Sequence, residues 1–179
     1  MKPVTIRPLQ ASDCMQQLTA LLHAAYASLV EQGWNFTAAD QSVETTRSRI
    51  AEGHTLVALQ GERLVGTVSI RGPKRADETY IADAPPALYT EPGTAILSQL
   101  AVHPELRGQG LAERLMDAAE DWAQAQGFAQ VALDTAIPAQ ALRCRYLRRG
   151  YVECGGVQWR GKTYPSVLMS KPLTPLEAA

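Results

Sequence analysis

The residues best placed to do chemistry lie in one stretch, Leu97-Ser98-Gln99-Leu100-Ala101-Val102-His103-Pro104-Glu105-Leu106-Arg107-Gly108-Gln109-Gly110-Leu111-Ala112. A β-type run passes into a turn with two glycines, which opens an amphipathic segment. Glycine lets a backbone approach a ligand closely. The first N–H groups of a helix lack partners inside it and sit at the positive end of its dipole, so they bind phosphate. Arg107 adds a fixed cation. Arg107, Gly108, Gln109, Gly110, Leu111 and Ala112 together read as a pyrophosphate cradle. An ordinary loop-to-helix junction carries the same two glycines, and the turn alone does not choose between the two.

A dinucleotide-binding oxidoreductase is one candidate, because Asp134 follows Gly108-Gln109-Gly110 at roughly the spacing of an acidic ribose ligand. The pattern fails in two places. Glu113 occupies the third glycine position, and His103 to Arg107 intervene between strand and turn. Repeated βαβ units are also missing.

The stretch resembles the acetyl-CoA site of GNAT-type N-acetyltransferases. Their signature is Gln or Arg, two residues, Gly, one residue, then Gly or Ala. Arg107, Gly110 and Ala112 fill it, and Leu100-Ala101-Val102-His103-Pro104 resembles the family's lead-in. Downstream, Tyr146-Leu147-Arg148-Arg149-Gly150-Tyr151 is similar to the family's Tyr-x-x-x-Gly-aromatic helix end. Two motifs in the right order outweigh one. The resemblance covers the element order over residues 4–173. It implies a mixed, mostly antiparallel α/β sheet, splayed at its centre and flanked by helices, in a single domain over residues 1–179.

It also implies a mechanism. A neutral amine attacks the thioester of acetyl-CoA. Backbone groups of Leu100, Ala101 and Val102 would hold the pantetheine arm, one N–H polarising the thioester carbonyl. Tyr146 would touch the cofactor and protonate the leaving thiolate, since a phenol with a reference pKa of ~10 stays protonated at neutral pH. Many relatives carry Glu where this chain has Gln99, and an amide accepts no proton near neutrality. Gln99 therefore stands at a catalytic and acceptor-side position without being a base. Asp134, His103, Glu78, Tyr164, water, or an acceptor of low amine pKa remain for that task. Ala139 replaces a frequent Asn. In the family's acceptor wall this chain places Trp34, Phe36, Trp159 and Tyr164, and aromatics there suit a small amine or cation as well as a core. Arg143, Arg145, Arg148 and Arg149 are either a solvated basic face or a partner for the 3′-phosphate of CoA. The resemblance allows a homodimer and a non-catalytic acyl-CoA-binding sensor as an alternative function, and it calls for no metal.

The positioning elements follow from periodicity. Val4–Arg7 alternates as a strand. Leu18, Leu21, Leu22, Ala25 and Leu29 fall on one helical face, with Asp13 and Gln16 as an expected capping box. A polar helix is expected over 41–52 and a hairpin over 55–70, turning at Gln60-Gly61-Glu62-Arg63. Residues 72–93, with their prolines, form the longest irregular stretch, either a solvated insertion or a lid. Further strands are expected at 94–102, 131–135, 151–160 and 166–173, and helices at 111–126 and 139–149. The whole is a single α/β domain of 179 residues.

Composition bounds the partners. With 17 Lys+Arg against 18 Asp+Glu, the net charge of −1 supplies no basic field for nucleic acid or an anionic membrane. No apolar run reaches the ~20 residues of a membrane span, and Met1-Lys2-Pro3-Val4 opens no signal sequence. Cys14, Cys144 and Cys154 are too few and too scattered for a disulfide framework. They read as buried apolar fillers of a reduced, cytoplasmic protein.

Overall fold

The structure is a computed structural model that describes residues 3–79 and 83–174. Met1, Lys2 and part of the irregular 72–93 stretch lie outside the described residues. The chain divides into two compact units, Met1–Arg71 with Leu97–Asp121, and Gly72–Ile96 with Trp122–Ala179.

The elements are β1 (Val4–Pro8), α1 (Met15–Val30), α2 (Val43–Ala51), β2 (His54–Gln60), β3 (Arg63–Arg71), α3 (Ala87–Thr90), β4 (Thr94–Val102), α4 (Leu111–Ala125), β5 (Gln130–Ala136), α5 (Gln140–Arg148), β6 (Val152–Val157) and β7 (Ser166–Pro172). The strands form one seven-stranded open sheet in the order β1-β2-β3-β4-β5-β7-β6. Antiparallel pairs dominate. The parallel pairing of β4 with β5 runs only from Thr94↔Gln130 to Ile96↔Ala132. The mixed, mostly antiparallel sheet flanked by helices is the expected fold class.

In the first unit the apolar stripe of α1 becomes core. Leu18 and Leu22 are each 1 % exposed. Leu18 packs with Met15, Leu21, Val57 and Leu64. Each such side chain contributes roughly 1.5–3 kcal/mol by leaving water. The expected capping box does not form. Cys14 is the residue before α1 and caps nothing with its side chain. Asp13 turns back to Arg7, which donates to both carboxylate oxygens at 2.7 and 2.8 Å. That bidentate ion pair holds the Asp13 carboxyl below its ordinary range. The cap appears on α2 instead, where the Ser42 hydroxyl accepts the Thr45 N–H at 3.0 Å. Gly66 on β3 lets α4 close on the sheet, since a Cβ there would stand 2.9 Å from Leu115 Cδ1.

In the second unit one core cluster joins Tyr89, Ile96, Ala132, Trp159 and Leu168. The α5 helix starts without a side-chain cap at the buried Ala139. β6 is an edge strand, broken by a register shift between Glu153 and Gly155. All three cysteines are exposed, so the expectation of buried fillers fails. Cys14 precedes α1, Cys144 lies midway along α5 and Cys154 lies on β6.

Candidate functional site

β4 ends at Val102, and Pro104–Leu106 form a single 3-10 turn. The chain then passes Gly108 and Gly110, both at φ +75, into α4. Side chains other than glycine rarely adopt that conformation. It aims consecutive N–H groups to one side, as in an anion-binding nest. Among the described residues the backbone N–H groups of Gly108, Gln109, Gly110, Leu111 and Ala112 make no hydrogen bond. A Cβ built on Gly108 or Gly110 would meet nothing within 4 Å. Open space and unspent donors at a helix start fit a diphosphate.

Arg107 differs from the five residues after it in that its backbone donor is already engaged. Its backbone N–H donates to the Pro104 carbonyl at 3.3 Å. Its guanidinium leans on α1, with Nη2 donating to the Ala25 carbonyl at 2.6 Å and Nη1 to Ser28 Oγ at 3.4 Å, both neutral acceptors that leave its positive charge in place. The side chain ties the turn to the helix in front of it.

Gln99 is the one non-glycine described residue with positive φ, at 53°. It lies within β4 and is itself 4 % exposed. Gln41 Nε2 donates to Gln99 Oε1 at 3.0 Å, and Gln99 Nε2 donates to Ser69 Oγ at 3.2 Å. Gln41 Nε2 also donates to Thr46 Oγ1, while Arg49 Nη1 donates to Gln41 Oε1 at 2.6 Å. A guanidinium only donates, so Arg49 fixes which end of each amide faces the next. The position that resembles a base is thus a neutral amide in the middle of an oriented chain that begins at the Arg49 guanidinium.

Tyr26 and Gln41 join the site with no motif or spacing in the sequence to mark them. Tyr26 donates its hydroxyl to the Leu100 carbonyl at 3.0 Å. Its ring lies 5.5 Å from that of Phe36, which is half-buried, as is Trp34. Ala101 is buried between half-buried Leu100 and Val102. His103 caps the 3-10 turn, with Nδ1 accepting the Glu105 N–H at 3.4 Å, and faces Arg63. It is a turn residue.

The remaining candidates belong to the second unit. Tyr146 is 7 % exposed on α5, edge-on to the Tyr151 ring at 5.9 Å. Tyr164 and Trp159 are buried. Asp134 accepts the Tyr89 hydroxyl at 2.6 Å and the Trp159 Nε1–H at 3.0 Å. Glu78 pairs with Lys74 at 3.5 Å. Arg143 of the basic cluster is taken up by Glu153 at 2.6 Å and by the Ile137 carbonyl.

Among the described residues no helix is long and apolar enough to cross a membrane. None of the curated proteins compared matches the chain. Solved structures do. The ribosomal-protein-S18-alanine N-acetyltransferase of Escherichia coli superposes with a TM-score of 0.71 at 16 % identity, over 99 % of each chain. PaiA N-acetyltransferase from Thermoplasma acidophilum, in complex with coenzyme A, gives 0.71 at 14 %, covering 96 % of this chain and 99 % of that one. A GNAT family acetyltransferase from Elizabethkingia anophelis with acetyl-CoA bound gives 0.65 at 15 %, covering 95 % and 98 %. At these identities the likeness carries the fold. The family model for the acetyltransferase (GNAT) family matches residues 16–151, and the chain belongs to that family.

Proposed function

We propose that the chain transfers an acetyl group from acetyl-CoA to a primary amine of a small molecule or peptide, by direct attack in a ternary complex. The observation that carries this reading is the run of unspent N–H groups from Gly108 to Ala112 at the start of α4. Those donors and the helix dipole would hold the pyrophosphate. The backbone of Leu100, Ala101 and Val102 would receive the pantetheine arm, one N–H stabilising negative charge on the thioester oxygen. Tyr146, by its place in the helix motif, would give its phenolic proton to the departing sulfur.

Gln99 takes no proton, so deprotonation of the acceptor falls to water or to the acceptor's own acidity. Gln99, with Trp34, Phe36 and Tyr164, is assigned to the acceptor side. The chain acts as one N-acetyltransferase domain over residues 1–179. It needs no metal and works in the cytoplasm, and the family resemblance allows a homodimer.

A screen of amines for acetyl-CoA-dependent thiol release tests the reading, with turnover on at least one amine class as the expected result. The amide at position 99 favours a second reading, a non-catalytic acyl-CoA-binding sensor. Intact CoA binding with no thiol release across the panel would replace the first reading by the second.

A further inference from the structure

Among the described residues Asp134 is a half-buried carboxylate with no cationic partner. Its two hydrogen bonds come from neutral donors, the Tyr89 hydroxyl to Oδ1 and the Trp159 Nε1–H to Oδ2. Both donors are themselves buried, at 3 % and 2 % exposure. A carboxylate offers about four acceptor directions, so about two remain, along with the whole negative charge. Two cations of the same unit are committed elsewhere. Lys74 faces Glu78 at 3.5 Å, and Arg160, next to Trp159, faces Asp83 at 3.8 Å.

A second observation lies on the same face of the sheet. Asp134 pairs with Leu168, and two residues along Ala136 pairs with Ser166. Side chains two apart on a strand share a face, so the Ser166 hydroxyl stands diagonally from the carboxylate. That hydroxyl is buried and has no hydrogen-bond partner. Beside them Ile96, Ala132 and Leu168 pack against Tyr89 and Trp159, and the polar pair further along the face, Gln130 and Thr94, is joined by its own hydrogen bond at 2.8 Å. An uncompensated charge and an unused acceptor in such surroundings call for a ligand that brings positive charge and several N–H donors.

We infer that Asp134, with Ser166 beside it, binds an alkylammonium group of the acceptor. A neighbouring carboxylate favours the charged form of an amine. An ammonium has no lone pair and cannot attack a thioester. The group held here is therefore a second, non-reacting cation, and the acceptor class is a diamine or another amine with a distant cationic centre. The acceptor class rests on the proposed acetyl transfer, whereas the cation site itself does not.

The test uses the Trp159 indole N–H resonance of the unmodified chain, titrated at constant ionic strength with 1,4-diaminobutane or 1,4-butanediol. The expected result is a saturable shift with the diamine and none with the diol. Asp134→Asn weakens the diamine response at least ten-fold while the melting temperature stays within a few degrees. An asparagine can keep both hydrogen bonds, donating to the Tyr89 hydroxyl and accepting from Trp159. Equal responses to diamine and diol, no response to either, or an unchanged response in Asp134→Asn would overturn the inference. If butylamine is acetylated while the diamine titration fails, the cation site falls and the proposed function stands. If the diamine binds while no amine is acetylated, the cation site stands and the proposed function falls.

Discussion

The Tyr26 hydroxyl donates to the carbonyl of Leu100 at 3.0 Å, linking the middle of α1 to β4 just after the Gln99 irregularity. The contact joins residues 74 positions apart. A carbonyl has two lone pairs, and Tyr26 uses one of them. Tyr26→Phe should cost about 1 kcal/mol of stability, the net worth of an ordinary hydrogen bond. It should leave CoA affinity within about three-fold, roughly 0.7 kcal/mol. Urea unfolding and calorimetric titration check the two. A much larger loss of affinity would make Tyr26 a positioning residue for the strand.

At Gln99 the usual ranking of glycine and alanine in strands should reverse. Gln99→Ala loses both buried hydrogen bonds and leaves Gln41 Nε2 short of an acceptor, a cost of about 1–3 kcal/mol. Gln99→Gly loses the same bonds but relieves the left-handed backbone at φ 53. It should therefore be the more stable of the two by about 1 kcal/mol. Chemical denaturation of both variants decides it, and alanine coming out on top would show that the backbone relaxes elsewhere.

Gly110→Trp should abolish CoA binding while the chain stays folded, with the melting temperature lowered by about 2–8 °C. Nothing stands within 4 Å of a Cβ at this position, so the side chain would enter the open space at the helix start where the ligand is held. The positive φ costs the substitution about 1–2 kcal/mol of strain. Undiminished affinity would refute the cradle.

Tyr146→Phe should lower kcat by at least about 10²-fold, the lower end of what a positioned proton donor contributes. The dissociation constant for CoA should change far less, because the proton is needed only as the sulfur departs. Steady-state kinetics beside equilibrium binding separate the two, and an unchanged kcat would remove the role.

The Arg7–Asp13 pair sets a pH dependence of stability. Arg7 holds the Asp13 carboxyl below its ordinary value of 3.8, so the pair contributes fully above that pH and is lost as pH falls through the lower folded value. The stability gap between the unmodified chain and Arg7→Ala should be constant from pH 7 to pH 5 and close toward pH 3. Urea midpoints at those three values measure it. A gap that widens in acid would have the sign wrong.

What the sequence discloses depends on range. The α1 stripe, the Gly108–Gly110 turn and the β2–β3 hairpin are local patterns, and each is where its residues put it. Asp13 shows local pattern losing to a competitor, because Asp and Gln at capping-box spacing spell a cap until a guanidinium six residues back takes the carboxylate. Gln99 is legible as a departure from a family pattern. Its partner Gln41 is not, since the two lie 58 positions apart and neither has a periodicity that points at the other. Tyr89, Asp134 and Trp159 meet for the same reason, through the fold alone. The exposed cysteines belong here too, as residue type gives only an average burial.

The irregular course of β6 also bears on solubility. An outermost strand leaves a row of backbone donors and acceptors facing water, which any second extended chain can zip onto. Val152 is 56 % exposed there, an added incentive for misassembly. The register shift after Glu153 breaks that row partway along, and Glu153, braced by Arg143 at 2.6 Å, puts a charged group beside the break. Regular pairing with a stray strand is interrupted there after two or three residues, which makes β6 a poor template for a further strand.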